Sequence, residues 1–233
     1  MASTEKLPQF TTPPGILKWP RLIVPDTHFD KRGIYSVGLI LSEEEAAPLI
    51  EKLKPLHELA VEEGREKYDA LPPAKRKKHP FNVHDFYTPV YDEDENETGE
   101  VEFKFKTYAS GVSKRTGKKW TKKVALFDAK GKPITSKTIR IGGGSVGRVA
   151  FEVSRFWNAA SLVAGLSLRL NAVKILQLHE GGERTAASYG FGDEEEGFSY
   201  SPNDFPEDDF PEDDENEEDN NTNDAGEEED DDF

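Results

Sequence analysis

Residues 101–110 read Val-Glu-Phe-Lys-Phe-Lys-Thr-Tyr-Ala-Ser, and residues 120–127 read Trp-Thr-Lys-Lys-Val-Ala-Leu-Phe. In the first stretch apolar and polar side chains alternate, which is the period of a β-strand with one face in a core. The other face of that strand then carries Lys104, Lys106 and Tyr108 side by side. The stretch therefore predicts a strand with a basic, aromatic outer surface.

The connector between these two stretches, residues 111–119, contains turn glycines and four cations, among them Lys114 and Arg115. This pattern predicts a β-hairpin with a basic tip, which Trp120 follows directly. Cations that meet phosphates, next to rings that stack on bases, are what single-stranded nucleic acid requires. Solvated lysines and packed aromatics are the alternative use of the same residues.

The acidic and basic residues are unevenly distributed along the 233-residue chain, whose net charge is −16. Residues 193–233 hold 22 acidic residues and no Lys or Arg, which leaves 24 acidic against 30 basic residues in the rest. The body is therefore mildly basic and the tail strongly acidic. A basic body favours a nucleic-acid partner, although the whole-chain charge would argue against one.

Composition also excludes several classes of function. The chain has no cysteine, which excludes disulfides, cysteine-based zinc sites and thiol catalysis. The first ten residues lack the apolar core of a signal peptide, and no apolar run reaches the length of a membrane span. We expect a soluble, intracellular protein without a cofactor, a metal site or enzymatic activity.

Periodicity places the remaining elements. An extended segment at residues 16–19 and strands at 34–41, 138–141 and 165–178 are predicted. Ser42 and Glu45 have the spacing of a capping box before a helical pattern that ends near Asp69. Pro48 is an alternative first helical position. The helix has one apolar stripe, so we expect it to cap the end of a barrel.

Residues 142–147 match the dinucleotide fingerprint G-x-G-x-x-G by letter. That fingerprint must open a helix, whose N-terminus holds the pyrophosphate. Here an alternating strand pattern follows, so the glycines are interpreted as a tight bend at a barrel corner.

Three further residues are candidates for stacking on bases or contacting phosphate. Arg155, Phe156 and Trp157 are predicted to lie in a loop between the last two strands. Trp19, beside Lys18, is interpreted as a core or edge-covering residue, with stacking as the alternative.

Residues 181–233 combine low hydrophobicity with high charge, so we expect this tail to be disordered. It carries Phe-Pro-Glu-Asp-Asp twice, at 205–209 and 210–214. Carboxylates resemble phosphates in charge and the rings resemble bases in shape, so we expect the tail to compete with DNA for the basic groove. Its last residues, Asp230, Asp231, Asp232 and Phe233, form a candidate signal for partner proteins.

The order of these pieces, with the pair Trp157 and Asn158 and the acidic end, resembles the single-stranded DNA-binding proteins of T7-like phages. The resemblance covers about residues 31–233 and implies an all-β OB-fold, a five-stranded Greek-key barrel with one capping α-helix. We expect this domain, with an N-terminal arm, in residues 1–180 and a flexible acidic tail in residues 181–233. The resemblance implies sequence-independent binding of single-stranded DNA in phage replication, recombination and repair, in the cytoplasm of the infected host. It also implies that the tail contacts the replicative DNA polymerase and the helicase–primase. The DNA-contacting residues it implies are Arg32, Lys106, Tyr108 and the pair Phe156 and Trp157.

Two other functions remain open from the sequence. One is a protein-interaction adaptor that works through its acidic tail. The other is a metal-dependent nuclease that uses the acidic residues at 92–97. Binding of duplex DNA or RNA, and a homodimer formed through the tail, also stay open.

Overall fold

The structure, a computed structural model, describes residues 7–28, 30–113, 116–136 and 138–180. It is mostly β with one long helix, as the sequence predicts, and a second, short helix. The elements in the described part of the chain are β1 Gln9–Thr11, β2 Gly15–Asp26, β3 Ile34–Ser42, α1 Glu43–Asp69, α2 Pro73–Lys78, β4 Asn82–His84, β5 Thr88–Tyr91, β6 Glu97–Tyr108, β7 Ser110–Val112, β8 Lys119–Thr121, β9 Ala125–Phe127, β10 Val146–Asn158 and β11 Val163–Gln177.

The alternation in residues 101–108 is confirmed. Val101, Phe103 and Phe105 are buried, whereas Lys104 and Lys106 are exposed. β3, which pairs with β6 in antiparallel register, alternates in the same way. The inward side chains of these strands and of β10 and β11 form one core, whose largest fully buried members include Phe103, Phe105, Phe151, Leu39 and Leu170.

Helix α1 begins at Glu43, directly after a complete capping box. The Ser42 hydroxyl oxygen accepts the Glu45 N–H at 3.3 Å, and the Glu45 carboxylate accepts the Ser42 N–H at 3.4 Å. The alternative start at Pro48 is wrong, because the cap already satisfies the first turn. The apolar stripe of α1 packs against β10 and β11. Neither helix in the described ranges is long and apolar enough to cross a membrane.

Five strands make up the body of the sheet, and each pairs with two others of the set. β2 pairs with β3 and β3 with β6, both antiparallel. β6 pairs with β11 in parallel at Lys106 and Arg169, β11 pairs with β10 along nearly its whole length, and β10 pairs with the start of β2. The shorter strands β1, β4, β5 and β9 add to this framework.

Several local predictions are wrong. The hairpin predicted around residues 111–119 does form, between β7 and β8, but as a separate two-stranded sheet; residues 120–127 do not pair with β6, and β9 pairs with β11. Residues 138–141 are not a strand, and α2 and β4 occupy a region that the sequence presents as a basic loop. Arg155, Phe156 and Trp157 lie in β10 rather than in a loop. The glycine-rich segment does form a bend before a strand, with Gly144 at φ +93°.

Candidate nucleic-acid interface

The outer face of β6 presents Lys104, Lys106 and Tyr108, which span about 13 Å along the strand at roughly 3.3 Å per residue. Their register partners on β3 include Gly38, opposite Lys104, and Ser36, opposite Lys106. Ser36 adds only a small side chain beside Lys106, whereas the ion pair of Lys18 and Glu102 lies over Gly38, next to Lys104. The face is therefore lined by small side chains at Lys106 but not at Lys104.

A row of cations crosses four strands at Lys106. Lys106 pairs with Ser36 on β3 and with Arg169 on β11, and Ser36 pairs in turn with Arg21 on β2. Directly opposite residues of paired strands share a face. Arg21, Lys106 and Arg169 therefore line one surface, which we call the cationic row. Sequence reasoning missed Arg21 and Arg169 because only the strand register places them beside Lys106.

The cationic row ends in an acid on β10. Glu152 pairs with Arg169, and its Oε1 accepts a hydrogen bond from Gln9 Nε2 at 3.0 Å. This hydrogen bond lowers the pKa of Glu152, and the nearby Lys122 and Arg169 charges lower it further. Glu152 is thus held in its charged form, and an anionic ligand is favoured everywhere along the row except at this end.

Lys106 lies at the centre of the cationic row, between β3 and β11. Partial burial of its ammonium lowers the pKa of Lys106, although the residue as a whole is exposed. An ammonium that has lost part of its hydration interacts more strongly with an incoming anion, because less water screens the pair.

Tyr108 lies at one end of this face against a fixed guanidinium. The Arg32 guanidinium carbon lies 4.0 Å from the centre of the Tyr108 ring. Arg32 is held by Asp30, with Nη2 to Oδ2 at 2.9 Å, and this contact lowers the pKa of Asp30. One face of the Tyr108 ring is therefore covered by a cation, an arrangement that fixes the ring's orientation.

Phe156 lies at the other end of this face, beside His84. The two rings are 5.9 Å apart, and His84 on β4 pairs with Gly165, which pairs with Phe156. Burial lowers the pKa of His84, and the charges of Lys106 and Lys104 lower it further. Phe156 lies on the same face as the lysines because it alternates in step with Glu152, whose partner Arg169 pairs with Lys106. Sequence reasoning missed the position of His84 beside Phe156.

Arg155 and Trp157 lie on the opposite side of β10 from Phe156, because successive strand residues alternate. Arg155 Nη2 pairs with Glu63 Oε1 on α1 at 3.2 Å. The Trp157 ring stacks on Phe81 at 5.9 Å. Both side chains therefore connect β10 to the helical side of the body and not to the cationic row.

The hairpin β7–β8 follows Tyr108 directly and carries Trp120, which is half-exposed. The Trp120 ring lies across Gly111, where an added Cβ would approach Cζ2 to 2.6 Å. Lys114, Arg115 and the tail residues Asp230, Asp231, Asp232 and Phe233 lie outside the described residues. No group of three or more potential metal ligands lies together in the described part of the chain, and this includes the acids at 92–97.

Comparison with known proteins identifies the family. The family model described as the single-stranded DNA-binding protein of bacteriophage T7 matches residues 16–178. The chain belongs to this family. It contains binding proteins rather than enzymes, so the sequence predictions of the family and of a non-enzymatic protein are confirmed.

Among its relatives, the single-stranded DNA-binding protein of Enterobacteria phage T3 is 32% identical over 169 residues, which cover 71% of this chain and 67% of the relative. That of Escherichia phage T7 is 32% identical over 151 residues, which cover 63% of each protein, slightly less than two thirds. The crystal structure of gp2.5, a single-stranded DNA-binding protein encoded by bacteriophage T7, matches with a TM-score of 0.61 and 27% identity, covering 84% of this chain and 100% of that structure.

Proposed function

We propose that this protein binds single-stranded DNA without sequence preference across the outer face of β6. The observation that carries the proposal is the cationic row, which crosses four strands between aromatic positions at Tyr108 and Phe156. Family membership supports the same conclusion. The row supplies charge for phosphates, and the rings supply flat surfaces for bases.

We further propose that β2, β3, β6, β10 and β11 form an OB-type Greek-key barrel with α1 across one end. The support is that each of the five strands pairs with two others of the set. A barrel of this kind presents a gently curved outer surface, and a flexible single strand can follow that curve.

The chemistry of the face explains a preference for unpaired bases. Stacking on Tyr108 and Phe156 requires an exposed base face, which a duplex does not offer. Each stacked base contributes about 1–3 kcal/mol, whatever its identity. No base-edge contact is needed, so binding tolerates any sequence. Lys104, Lys106, Arg21 and Arg169 add phosphate contacts that release counterions.

The acidic tail is proposed to regulate this face and to recruit partners. The 22 acids of residues 193–233 compete with phosphates, and Asp230, Asp231, Asp232 and Phe233 contact the replicative polymerase and the helicase–primase. A tail that occupies a neighbour's groove would form a homodimer. The proposed setting is phage DNA replication, recombination and repair in the cytoplasm of the infected host. These proposals rest on the sequence alone.

The proposal is tested by fluorescence polarisation of a labelled oligo-dT, with a duplex of equal length as competitor. We expect log-affinity to fall with log-salt with a slope of about −3, because four cations release counterions at about 0.7 each on a single strand. No retention of oligo-dT would refute the proposal and favour the adaptor function, whereas equal affinity for duplex would refute the preference for unpaired bases.

Phe156 and Trp157 are expected to respond to alanine substitution in opposite ways. Trp157→Ala removes the stack on Phe81, so we expect the free energy of unfolding to fall by about 2 kcal/mol with DNA affinity unchanged. Phe156→Ala should weaken oligo-dT binding about tenfold with little loss of stability. Urea denaturation and polarisation on both variants separate the two effects. The reverse pattern would make Trp157 the stacking ring.

His84 is expected to make binding stronger in acid. Burial and two lysines hold its pKa below the ordinary value of 6.5, so the ring is neutral at pH 7. As the pH falls below 6.5, a bound phosphate favours the protonated form of His84. The added positive charge should tighten DNA binding about two- to fivefold. The same lowered pKa costs the free protein stability in acid, because the unfolded chain takes up the proton first.

The measurement is the oligo-dT dissociation constant of wild type, His84→Gln and His28→Gln between pH 5.5 and 8. His28→Gln should keep the acid-dependent gain, and His84→Gln should lose it. If all three proteins show the same pH profile, His84 does not face the bound strand.

A further inference from the structure

Trp19 is the most exposed large apolar side chain among the described residues, at 79%, although the sequence favoured a core or edge-covering role. Its backbone has φ +47°, a left-handed conformation that is uncommon for any residue with a large side chain. Such strained positions persist only when the surrounding structure holds them, and they cluster at functional sites. Neither packing nor local preference accounts for this ring.

A β-bulge places Trp19 at the edge of the cationic row. Lys18 pairs with Gly38 and Arg21 with Ser36, so three steps on β2 match two steps on β3. Lys18 and Arg21 share the outer face with Lys104 and Lys106, which pair with the same two β3 residues. Trp19 and Pro20 therefore occupy the bulge between Lys18, which is paired with Glu102, and Arg21 of the cationic row.

Contacts on both sides hold this bulge in position. Lys18 Nζ pairs with Glu102 Oε2 at 2.9 Å. On the other side, the Gly144 N–H donates to the Leu17 carbonyl at 2.9 Å, so the glycine-rich bend runs beside β2 without a side chain that could cover the ring. The backbone is thus fixed while the indole remains open to solvent.

A groove of about 480 Å³ continues from the bulge. Its lining includes Pro20, Arg21, Val24, Thr138 and Arg140, and none of its lining residues is acidic. The opposite end of the cationic row stops at the negative Glu152. An anionic chain that follows the row is therefore directed toward β2, where Trp19 and the groove lie.

We propose that Trp19 is a second base-stacking position, where a single strand leaves the β6 face and enters the groove lined by Arg21 and Arg140. This inference rests on the proposed function. Single-stranded DNA fits better than an apolar protein segment because Arg21 follows the ring on β2 and the groove beyond it is lined by Arg21 and Arg140 and by no acidic residue.

Oligonucleotide length tests this proposal. An oligo-dT of about four nucleotides can occupy the β6 face alone, whereas one of about sixteen also reaches β2. Trp19→Ala should weaken the long oligonucleotide about tenfold and leave the short one within twofold. Trp19→Phe should keep most of the long-oligonucleotide affinity. Tyr91→Ala, which removes an exposed ring beside acidic residues, is the matched control and should change neither.

Trp19→Gly separates function from packing. Glycine adopts positive φ without strain, so this variant should melt at a higher temperature than wild type while it binds the long oligonucleotide as weakly as Trp19→Ala. A lower melting temperature with unchanged affinity would give Trp19 a structural role and overturn the proposal. So would equal weakening of the short and the long oligonucleotide.

Lys106→Ala distinguishes failure of the second stacking position at Trp19 from failure of the proposed DNA face as a whole. If it weakens both oligonucleotides while Trp19→Ala weakens neither, the second stacking position is refuted and the DNA face stands. If Lys106→Ala weakens neither oligonucleotide, the DNA face itself fails. Irradiation of a bound oligonucleotide that contains 5-iododeoxyuridine should cross-link its end to the peptide with Trp19; cross-links elsewhere only would contradict the path.

Discussion

The double variant Lys106→Ala/Tyr108→Ala is expected to bind oligo-dT about 100-fold more weakly than wild type. Tyr108 supplies one stacked base, at about 1–3 kcal/mol, and Lys106 supplies the partly desolvated ammonium of the cationic row. Since 1.4 kcal/mol is a factor of ten, their combined loss reaches two orders of magnitude. The salt slope should become shallower by about 0.7, because one phosphate contact is lost.

A matched pair of surface changes controls for this variant. Lys130→Ala/Tyr91→Ala removes the same residue types from exposed positions, one in the turn after β9 and one on β5 opposite Glu97, and should bind as wild type does. Melting curves show whether either double variant is destabilised. Less than fivefold weakening in a folded Lys106→Ala/Tyr108→Ala variant would mean that the strand takes another route across the body.

Neutralising the acids of residues 193–233 is expected to tighten binding about tenfold at low salt. Replacing the 22 Asp and Glu residues by Asn and Gln keeps the length of the chain but removes a local excess of negative charge. The body then presents 30 basic against 24 acidic residues to the DNA without competition. The gain should disappear near 1 M salt, where screening acts within about 3 Å.

The matched control is a tail of the same composition in scrambled order. If charge alone competes with phosphate, the scrambled tail inhibits as well as the native one. If the Phe-Pro-Glu-Asp-Asp repeat matters, scrambling should recover part of the gain. A neutral tail that leaves affinity unchanged at every salt concentration would remove the competitor role.

The framework of the fold could be predicted from local sequence patterns. The alternation in β6 and the capping box before α1 each depend on residues close together in sequence, and both are confirmed. The glycine-rich bend was also correctly separated from a dinucleotide site, because the residues after it alternate as a strand. These signals are local, so one sequence suffices to detect them.

The composition of the candidate site could be predicted only in part. Arg21 and Arg169 are 148 positions apart, and only the registers of β2, β3, β6 and β11 bring them into one row. His84 lies in a three-residue strand with no periodic signal. Residues of this kind can be assigned to the site only once the strand pairing is known, because the register depends on contacts between segments distant in sequence.

Two aromatic positions were misjudged for opposite reasons. The sequence predicts a loop position for Trp157 because Arg155 and Phe156 before it break the apolar alternation. In the structure β10 continues through Asn158, and the Trp157 ring stacks on Phe81. Trp19 was assigned to packing because large aromatics are usually buried. The bulge that exposes it depends on the spacing of its pairs with β3, which the sequence of β2 alone does not contain.

Strand β11 pairs with β4, β6, β9 and β10, yet it is the last strand of the described body to leave the ribosome. A nascent chain that ends before residue 163 contains β4, β6, β9 and β10 but lacks β11, with which all four pair. The unpaired edges of these strands can therefore pair with other chains. We expect proteolytic protection to arise late in synthesis, in one step, when Val163–Gln177 emerges. We expect chains stalled before residue 163 to aggregate and completed chains to stay dispersed, which sedimentation of stalled nascent chains would measure.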